Sequence, residues 1–394
     1  MTNMTTMINS REDREAQERG SLIPAASFSD VATRQHSEAP DLLRTAFQRD
    51  RDRILHSKAF RRLSHKTQVF LEPEGDHYRT RMTHTLEVSQ IARSAAVALR
   101  LNADLTEAIA LGHDLGHTPY GHAGEQAFND CLRELSAQPG YSGPLHFYHN
   151  EQSLRIVDLI ENEGRGLNLT DQVRDGILCH TGCQASSSLE GQVVAIADRI
   201  AYVNHDIDDA LRAGIINIHD LPQQSLDLLG HRHSERITTL INDLVQTSSQ
   251  SIVQGSGQAC DQVTSQASNQ SPKQFSSQNP GQTLGQSGKI RMSDPTWAAL
   301  MELREFLTEN VYQAGDAKAE EPKAFYLVKR LFEYYMGHPA AIPEDYRNLS
   351  CSETGSRTGA SEVFPVIDYV SGMTDRFASK CFTELFIPAN WRDI

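Results

Sequence analysis

An all-α fold is predicted by three stretches with helical patterning and by the lack of any βαβ alternation or internal repeat. Residues 83–101 (THTLEVSQIARSAAVALRL) carry Leu86, Ile91, Ala95, Val97 and Leu99 without the alternation of a strand. Residues 104–115 (DLTEAIALGHDL) repeat apolar side chains at helical spacing and stop near Gly116 and Pro119. Residues 189–212 (LEGQVVAIADRIAYVNHDIDDALR) read as a third long helix, with Gly214 as the residue just past its end.

The rest of the chain is organised around these helices. Residues 1–40 lack periodicity and are expected to be a flexible arm, and residues 41–245 form a helical core. Residues 247–288 hold 20 Ser or Gln in 42 positions, with Asp261 and Lys273 as the only charges. Such a stretch buries too little apolar area to offset its ordering entropy, so 246–290 is expected to be a disordered insertion. A shorter loop is expected at 348–360. Residues 295–336 and 363–386 return to helical patterning, so 291–394 reads as a C-terminal helical part of the same domain.

Bulk composition excludes some functions. A net charge of −14 over 394 residues does not suit a protein that coats nucleic acid or anionic membrane, and single-stranded DNA binding has no support from charge. Residues 44–66 are the exception, with eight Lys or Arg against Asp50 and Asp52. No apolar run approaches the roughly 20 residues of a membrane span. Residues 1–20 are polar and charged, unlike a signal peptide. Six scattered cysteines complete the picture of a reduced, cytoplasmic protein.

Chemistry is concentrated in HDLGHTPYGH, residues 113–122, where three histidines and an aspartate fall within ten residues. A lone histidine is more often structural, but three beside an aspartate at a helix end running into a Gly-Pro-Gly loop point to a site. Adjacent His113 and Asp114 point about 100° apart on a helix, so an ion shared by both needs donors from other helices. His84, opening one helix, and Asp198, within another, are suitable. This mixed nitrogen and oxygen set suits Mn²⁺, Fe²⁺, Co²⁺, Mg²⁺ or Zn²⁺. Asp198, Tyr202 and Asp206 recur every four residues and share a helix face.

The pattern His84, His113-Asp114, Asp198 resembles the HD superfamily of metal-dependent phosphohydrolases. The surrounding text is more specific: RDRILHSKAFRRLSHKTQVF (51–70), YRTRMTHTLEVSQIAR (78–93), HDLGHTPYGHAGE (113–125), HNEQSLRIV (149–157), LEGQVVAIADRIAYVNHDIDDALRAG (189–214) and IDYVSGMTDRFA (367–378). These segments resemble the deoxyguanosine triphosphate triphosphohydrolase family, particularly its dGTPase-like branch. The similarity runs from about Phe47 to Trp391, interrupted by the Ser/Gln-rich insertion and the 348–360 loop.

The resemblance implies an HD-domain helical fold with additional C-terminal helices. It implies hydrolysis of a dNTP to the deoxynucleoside and tripolyphosphate, with a divalent ion (Mg²⁺, Mn²⁺ or Fe²⁺) on His84, His113, Asp114 and Asp198. It further implies that His122 and Glu125, on a loop just after the ligand helix, are the catalytic pair, Glu125 orienting His122. By the same resemblance His117 and His149 contact phosphate, and Arg81, one turn before His84, clamps phosphate oxygens. Gln68 and Val69 lie against the deoxyribose, Tyr202 packs on the sugar, and Asp206 accepts from the 3′-hydroxyl. Lys66 and Arg62, in the basic segment, face phosphate or another subunit. A ring-like homo-oligomer, often a hexamer, and a dNTP activator are also implied. Two other readings stay open: an HD phosphohydrolase acting on a deoxynucleoside monophosphate or a signalling nucleotide, and a non-catalytic binder of nucleotide or single-stranded DNA. His180 and His205 lie in family-like text without a role.

Overall fold

The computed structural model describes residues 9–68, 79–258, 289–312, 316–353 and 363–388. Among them the chain is helical throughout, and the only β pairings are isolated bridges, Arg34 with Thr170 and Thr67 with Thr80. The first part runs α1 (Arg11–Ser21), α2 (Ala46–His56), α3 (Lys58–Arg62), α4 (Arg81–Ala98), α5 (Ala103–Gly112), α6 (Gly121–Ser136), α7 (His149–Arg155), the short turn α8 (Glu161–Gly164), α9 (Asp171–Leu178) and α10 (Leu189–Arg212). Then follow α11 (Gln223–Leu229), α12 (His233–Gln258), α13 (Asp294–Leu307), α14 (Asp316–Gly337), α15 (Glu344–Glu353), α16 (Val363–Ser371) and α17 (Asp375–Phe386). No described helix is long and apolar enough to cross a membrane.

Helix α10 is the axis. The Ser188 hydroxyl accepts from the Gly191 N–H at its start, and Ala213 ends it before Gly214 at φ +69°, as the sequence predicts. Val193, Ile196, Ile200, Val203 and Ile207 are all buried against α4, α5, α9, α12 and α13. Each such burial contributes about 2 kcal/mol before the entropy of ordering is subtracted. A second apolar cluster joins α6 to α14, α16 and α17 through Phe128, Val328, Phe332, Val366 and Val370. The cleft lies where these two cores meet.

Two short devices aim backbone at that cleft. The Asn102 side chain caps α5 by accepting from the N–H groups of Asp104 and Leu105. The helix ends at Gly112, with His113 as its cap, rather than running to 115. Gly116 then lets α7 lie directly on the turn: a Cβ here would stand 2.2 Å from the Ser153 N and 2.3 Å from the His149 O. No larger residue allows that approach.

Several sequence expectations are corrected. In α4 the buried stripe is Val88, Ile91, Ala92 and Ala95, whereas Leu86 and Val97 are 50% and 61% exposed. Residues 9–40 hold α1, fixed by a Ser10–Asp13 capping box, and polar anchors onto the core. Ser27 donates to Glu190, and Arg34 to Asp50 and the Ala46 carbonyl. Because α1 buries no residue, it has no apolar stripe to read. Helix α12 continues through residues 247–258, where buried Ile252 and the Ser248–Arg291 backbone bonds tie it down; residues 259–288 lie outside the described residues. Likewise α15 (Glu344–Glu353) takes up residues 348–353 of the expected loop, and residues 354–362 are outside the described part.

Candidate active site

Three helices or their ends bring His84, His113, Asp114 and Asp198 together. His84 opens α4, His113 and Asp114 follow α5, and Asp198 lies on α10. His84 Nε2 is 3.0 Å from Asp198 Oδ1 and 3.9 Å from Asp114 Oδ2. His113 Nε2 is 3.3 Å from Asp114 Oδ1 and 3.8 Å from Asp198 Oδ1. Ligand atoms of His84, His113 and Asp198 all lie within 4.8 Å of one another.

The donor chemistry fits a divalent cation. His113 Nδ1 donates to the Ala110 carbonyl at 2.6 Å, which leaves its Nε2 lone pair facing the cluster. That nitrogen is buried and has no hydrogen-bond partner, an arrangement that costs free energy unless a cation or donor meets it. Second contacts orient the set: His84 Nδ1 lies 2.9 Å from His205 Nε2, and Arg81 donates to Asp114 Oδ2 at 2.9 Å. Burial alone would raise the Asp114 carboxyl, but His113, His117 and Arg81 outweigh it and hold it well below the usual carboxylate range. The same contest at Asp198 is won by the hydrogen bond from His84 and the proximity of His113.

Next to this cluster stand four more histidines and a glutamate. His117 Nε2 is 3.1 Å from Asp114 Oδ1, and its ring stacks on His149 at 3.9 Å. His122 and Glu125 lie in the first turn of α6, not on a loop. The His122 ring is 84% exposed within the cavity, open to a substrate. Glu125 Oε2 sits 3.4 Å from His149 Nδ1 and 3.9 Å from His122 Nδ1, so its closer partner is His149 rather than the His122 expected from the sequence. His180, without a sequence role, meets His149 with Nε2 atoms 3.3 Å apart, and burial together with His113 and His149 pushes it down to about 3. Its Nδ1 donates to the Ile177 carbonyl, three residues back, as His113 does to Ala110.

A cavity of about 440 Å³ runs from this cluster along the face of α10 that carries Asp198, Tyr202 and Asp206. Gln68, Arg81, His117, His122, His149, Tyr202 and Asp206 all line it. The Gln68 side-chain oxygen is buried without a partner. Asp206 accepts from the Tyr312 hydroxyl and lies 2.7 Å from His205 Nδ1. Burial pushes the Tyr202 hydroxyl up to about 12, so it remains a neutral donor. Arg304, Thr308 and Tyr312 complete this end; they follow Asp198 by more than a hundred residues, and no local pattern marks them.

Lys66 is corrected. Its buried ammonium donates to the backbone carbonyls of His117 and Ser371, which staples the site loop to α16 and turns the charge away from the cavity. Arg62 reaches the Tyr346 hydroxyl, and Arg44, Arg51 and Arg53 pair with Asp41, Asp104 and Glu38. The first half of the basic segment, Arg44 to Arg53, is therefore ion-paired, and none of the segment's Lys or Arg lines the cavity. Val69 lies outside the described residues.

Residues 81–203 match the HD domain, and residues 290–384 match the phosphohydrolase-associated domain. The first span contains all four clustered ligands; the second contributes Arg304, Thr308 and Tyr312. The chain is 45% identical over 382 residues to a deoxyguanosinetriphosphate triphosphohydrolase-like protein of Caldanaerobacter subterraneus, covering 97% of each. It is 43% identical to one of Clostridium perfringens over 96% of this chain and 98% of the relative. A relative with the same description from Bordetella pertussis is 39% identical, over 92% of this chain and 95% of its own length. The chain belongs to the deoxyguanosinetriphosphate triphosphohydrolase-like family of HD-domain phosphohydrolases.

Proposed function

We propose that this chain hydrolyses a deoxynucleoside triphosphate to the deoxynucleoside and tripolyphosphate. The observation that carries this reading is the cavity itself. One part is a cluster of imidazoles and carboxylates with Arg81 and His117 against Asp114, His122 is exposed within the cavity, and a further wall is made by Tyr202, Tyr312 and Asp206. That set of surfaces matches a polyphosphate followed by a sugar and a base.

A divalent ion held by His84, His113, Asp114 and Asp198 would supply Lewis-acid polarisation of a phosphate oxygen and a lowered pKa for water. The chain's own groups do the rest. Water oxygen bonds to the α-phosphorus, the bond to the 5′ oxygen breaks, and that oxygen takes a proton. His122, exposed in the cavity, is the donor of that proton. Arg81 donates to the non-bridging oxygens as charge builds on them. Tyr202 packs on the sugar, Asp206 accepts from its 3′-hydroxyl, and Gln68 closes the 2′ side.

The test is product identity. Purified protein is incubated with each dNTP, singly and mixed, with Mg²⁺ or Mn²⁺, beside Asp114→Ala, and the products are separated by ion exchange. Deoxynucleoside with tripolyphosphate, absent from the variant, is the expected result. Release of monophosphate or pyrophosphate would overturn the reaction proposed.

A further inference from the structure

The segment IDYVSGMTDRFA (367–378) belongs to the family-like text, yet none of it lines the cavity. It forms the corner between α16 and α17, inside the phosphohydrolase-associated domain, and bonds run from it to the elements that carry the site. Asp368 accepts from Gln152 and Arg155 of α7, and the Ser371 carbonyl accepts from Lys66. Asp375 holds two segments at once. Its Oδ2 accepts from the Thr67 N–H at 2.8 Å and the Thr67 hydroxyl at 2.6 Å, while Oδ1 accepts from the Tyr120 N–H at 2.9 Å. Asp375 is 1% exposed, so water does not compete for these bonds.

Tyr120 is the residue that needs holding. Its backbone is left-handed, at φ 60° and ψ 25°, a conformation that disfavours a bulky side chain, and Gly121 follows at φ +53°. Helix α6 starts directly from this turn without a side-chain cap, and His122 is its second residue. The Tyr120 ring packs in the second apolar cluster, and its hydroxyl donates to the Asp375 carbonyl at 3.0 Å. The turn is also pressed against the substrate side: a Cβ on Gly121 would stand 2.7 Å from the Arg81 guanidinium and 3.4 Å from the Gln68 carbonyl oxygen. Asp375 thus ties together the two backbone segments, Thr67–Gln68 and Tyr120–Gly121, that flank Arg81.

We propose that Asp375 is a positioning residue for the reaction: by fixing Tyr120 in its left-handed turn, it aims His122 into the cavity. The consequence for turnover rests on the proton-donor role proposed above for His122; the hold on the turn does not. A carboxylate that only stabilised the fold would lower all turnover alike, whereas one that aims a proton donor matters most where the leaving oxygen needs a proton.

Asp375→Asn in the full chain tests this. The amide keeps one acceptor oxygen and turns an NH₂ group onto either the Tyr120 or the Thr67 N–H. On dNTP, kcat should fall about 30-fold to 100-fold, with KM changed by less than about threefold and metal content after dialysis unchanged. The p-nitrophenyl ester of tripolyphosphate has a leaving group that needs no proton, so its turnover should fall by less than about threefold. A crystal structure of the variant should show Tyr120 outside the left-handed region and His122 displaced. Tyr120→Phe keeps the ring and removes the hydroxyl bond. It should move the dNTP-to-ester ratio the same way by about threefold, and it carries the test if Asp375→Asn fails to fold. Equal losses on both substrates, or a variant structure with Tyr120 and His122 in place, overturn the proposal. A wild-type chain that releases no tripolyphosphate from any dNTP removes the proposed reaction instead, and the crystal comparison then decides whether Asp375 holds the turn.

Discussion

The two ends of the cavity are built differently. At the ligand end, His84, His113, Asp114 and His117 are nearly fully buried, and each is oriented by a neighbour such as Ala110, His205 or Arg81. Its backbone is fixed by the Asn102 cap and the close contact at Gly116. At the far end, Tyr202, Asp206 and Tyr312 come from α10 and a π-helical turn at Thr308–Tyr312, and a single side-chain bond, Tyr312 to Asp206, joins them. Chemistry that needs fixed geometry sits on locked donors, whereas recognition rests on a wall made by distant segments. Damage to the first end should act on turnover and metal content, and damage to the second on substrate binding.

The largest effect is expected from Asp114→Ala. This carboxylate stands within 4 Å of both His84 Nε2 and His113 Nε2. Its loss should empty the metal site, seen as metal content after dialysis, and lower turnover by roughly 10³-fold or more. A variant that keeps its metal would break the comparison. Next comes Gly116→Ala, because the new Cβ would meet the α7 backbone at 2.2 Å. Urea unfolding should show a loss of about 3 kcal/mol, with His149 displaced from the site. Tyr312→Phe sharpens the contrast from the other side. Asp206 loses a donor, so KM should rise about tenfold while kcat and metal content hold; a fall in kcat alone would mean the two ends are not separable.

The smallest expected effect is a pH slope. Lys66 is enclosed by Asp375 from α17 and Asp114 after α5 on the acidic side, and by Arg81 from α4 and Arg62 from α3 on the basic side. Burial pushes its amine down to about 7 from the ordinary 10.5. The unfolded chain then binds more protons between those values, so this group makes stability rise as pH climbs from about 7 to 10.5. A neutral amine still has two hydrogens for the His117 and Ser371 carbonyls. Lys66→Met should flatten that rise in chemical unfolding curves; an unchanged slope would show that Lys66 stays charged.

How much was legible in the sequence follows from the same difference. His113, Asp114 and His117 could be read because one helix end and its turn carry them, and α10 could be read because its apolar positions are periodic. Asp198, Tyr202 and Asp206 share a face by spacing alone. Tyr312 and Arg304 could not be read, because their place depends on how α13 packs against α10. His180 left one signal unused: like His113, it stands three residues after the carbonyl that its Nδ1 meets at a helix end. Lys66 was misjudged because charge counting along a segment does not reveal that an amine is buried against carbonyls. Residues 9–40 escaped because their anchors, Ser27 on Glu190 and Arg34 on Asp50, are polar and lack a period.

The most direct measurement is hydrolysis of an equimolar dNTP mixture in oxygen-18 water, with the products resolved by ion exchange and mass spectrometry. Attack at the α-phosphorus should put one labelled oxygen on a terminal phosphate of tripolyphosphate and leave the deoxynucleoside unlabelled. Label in the deoxynucleoside, or release of pyrophosphate or monophosphate in place of tripolyphosphate, would contradict a cavity that holds the polyphosphate at its ligand end and the sugar against Tyr202 and Asp206.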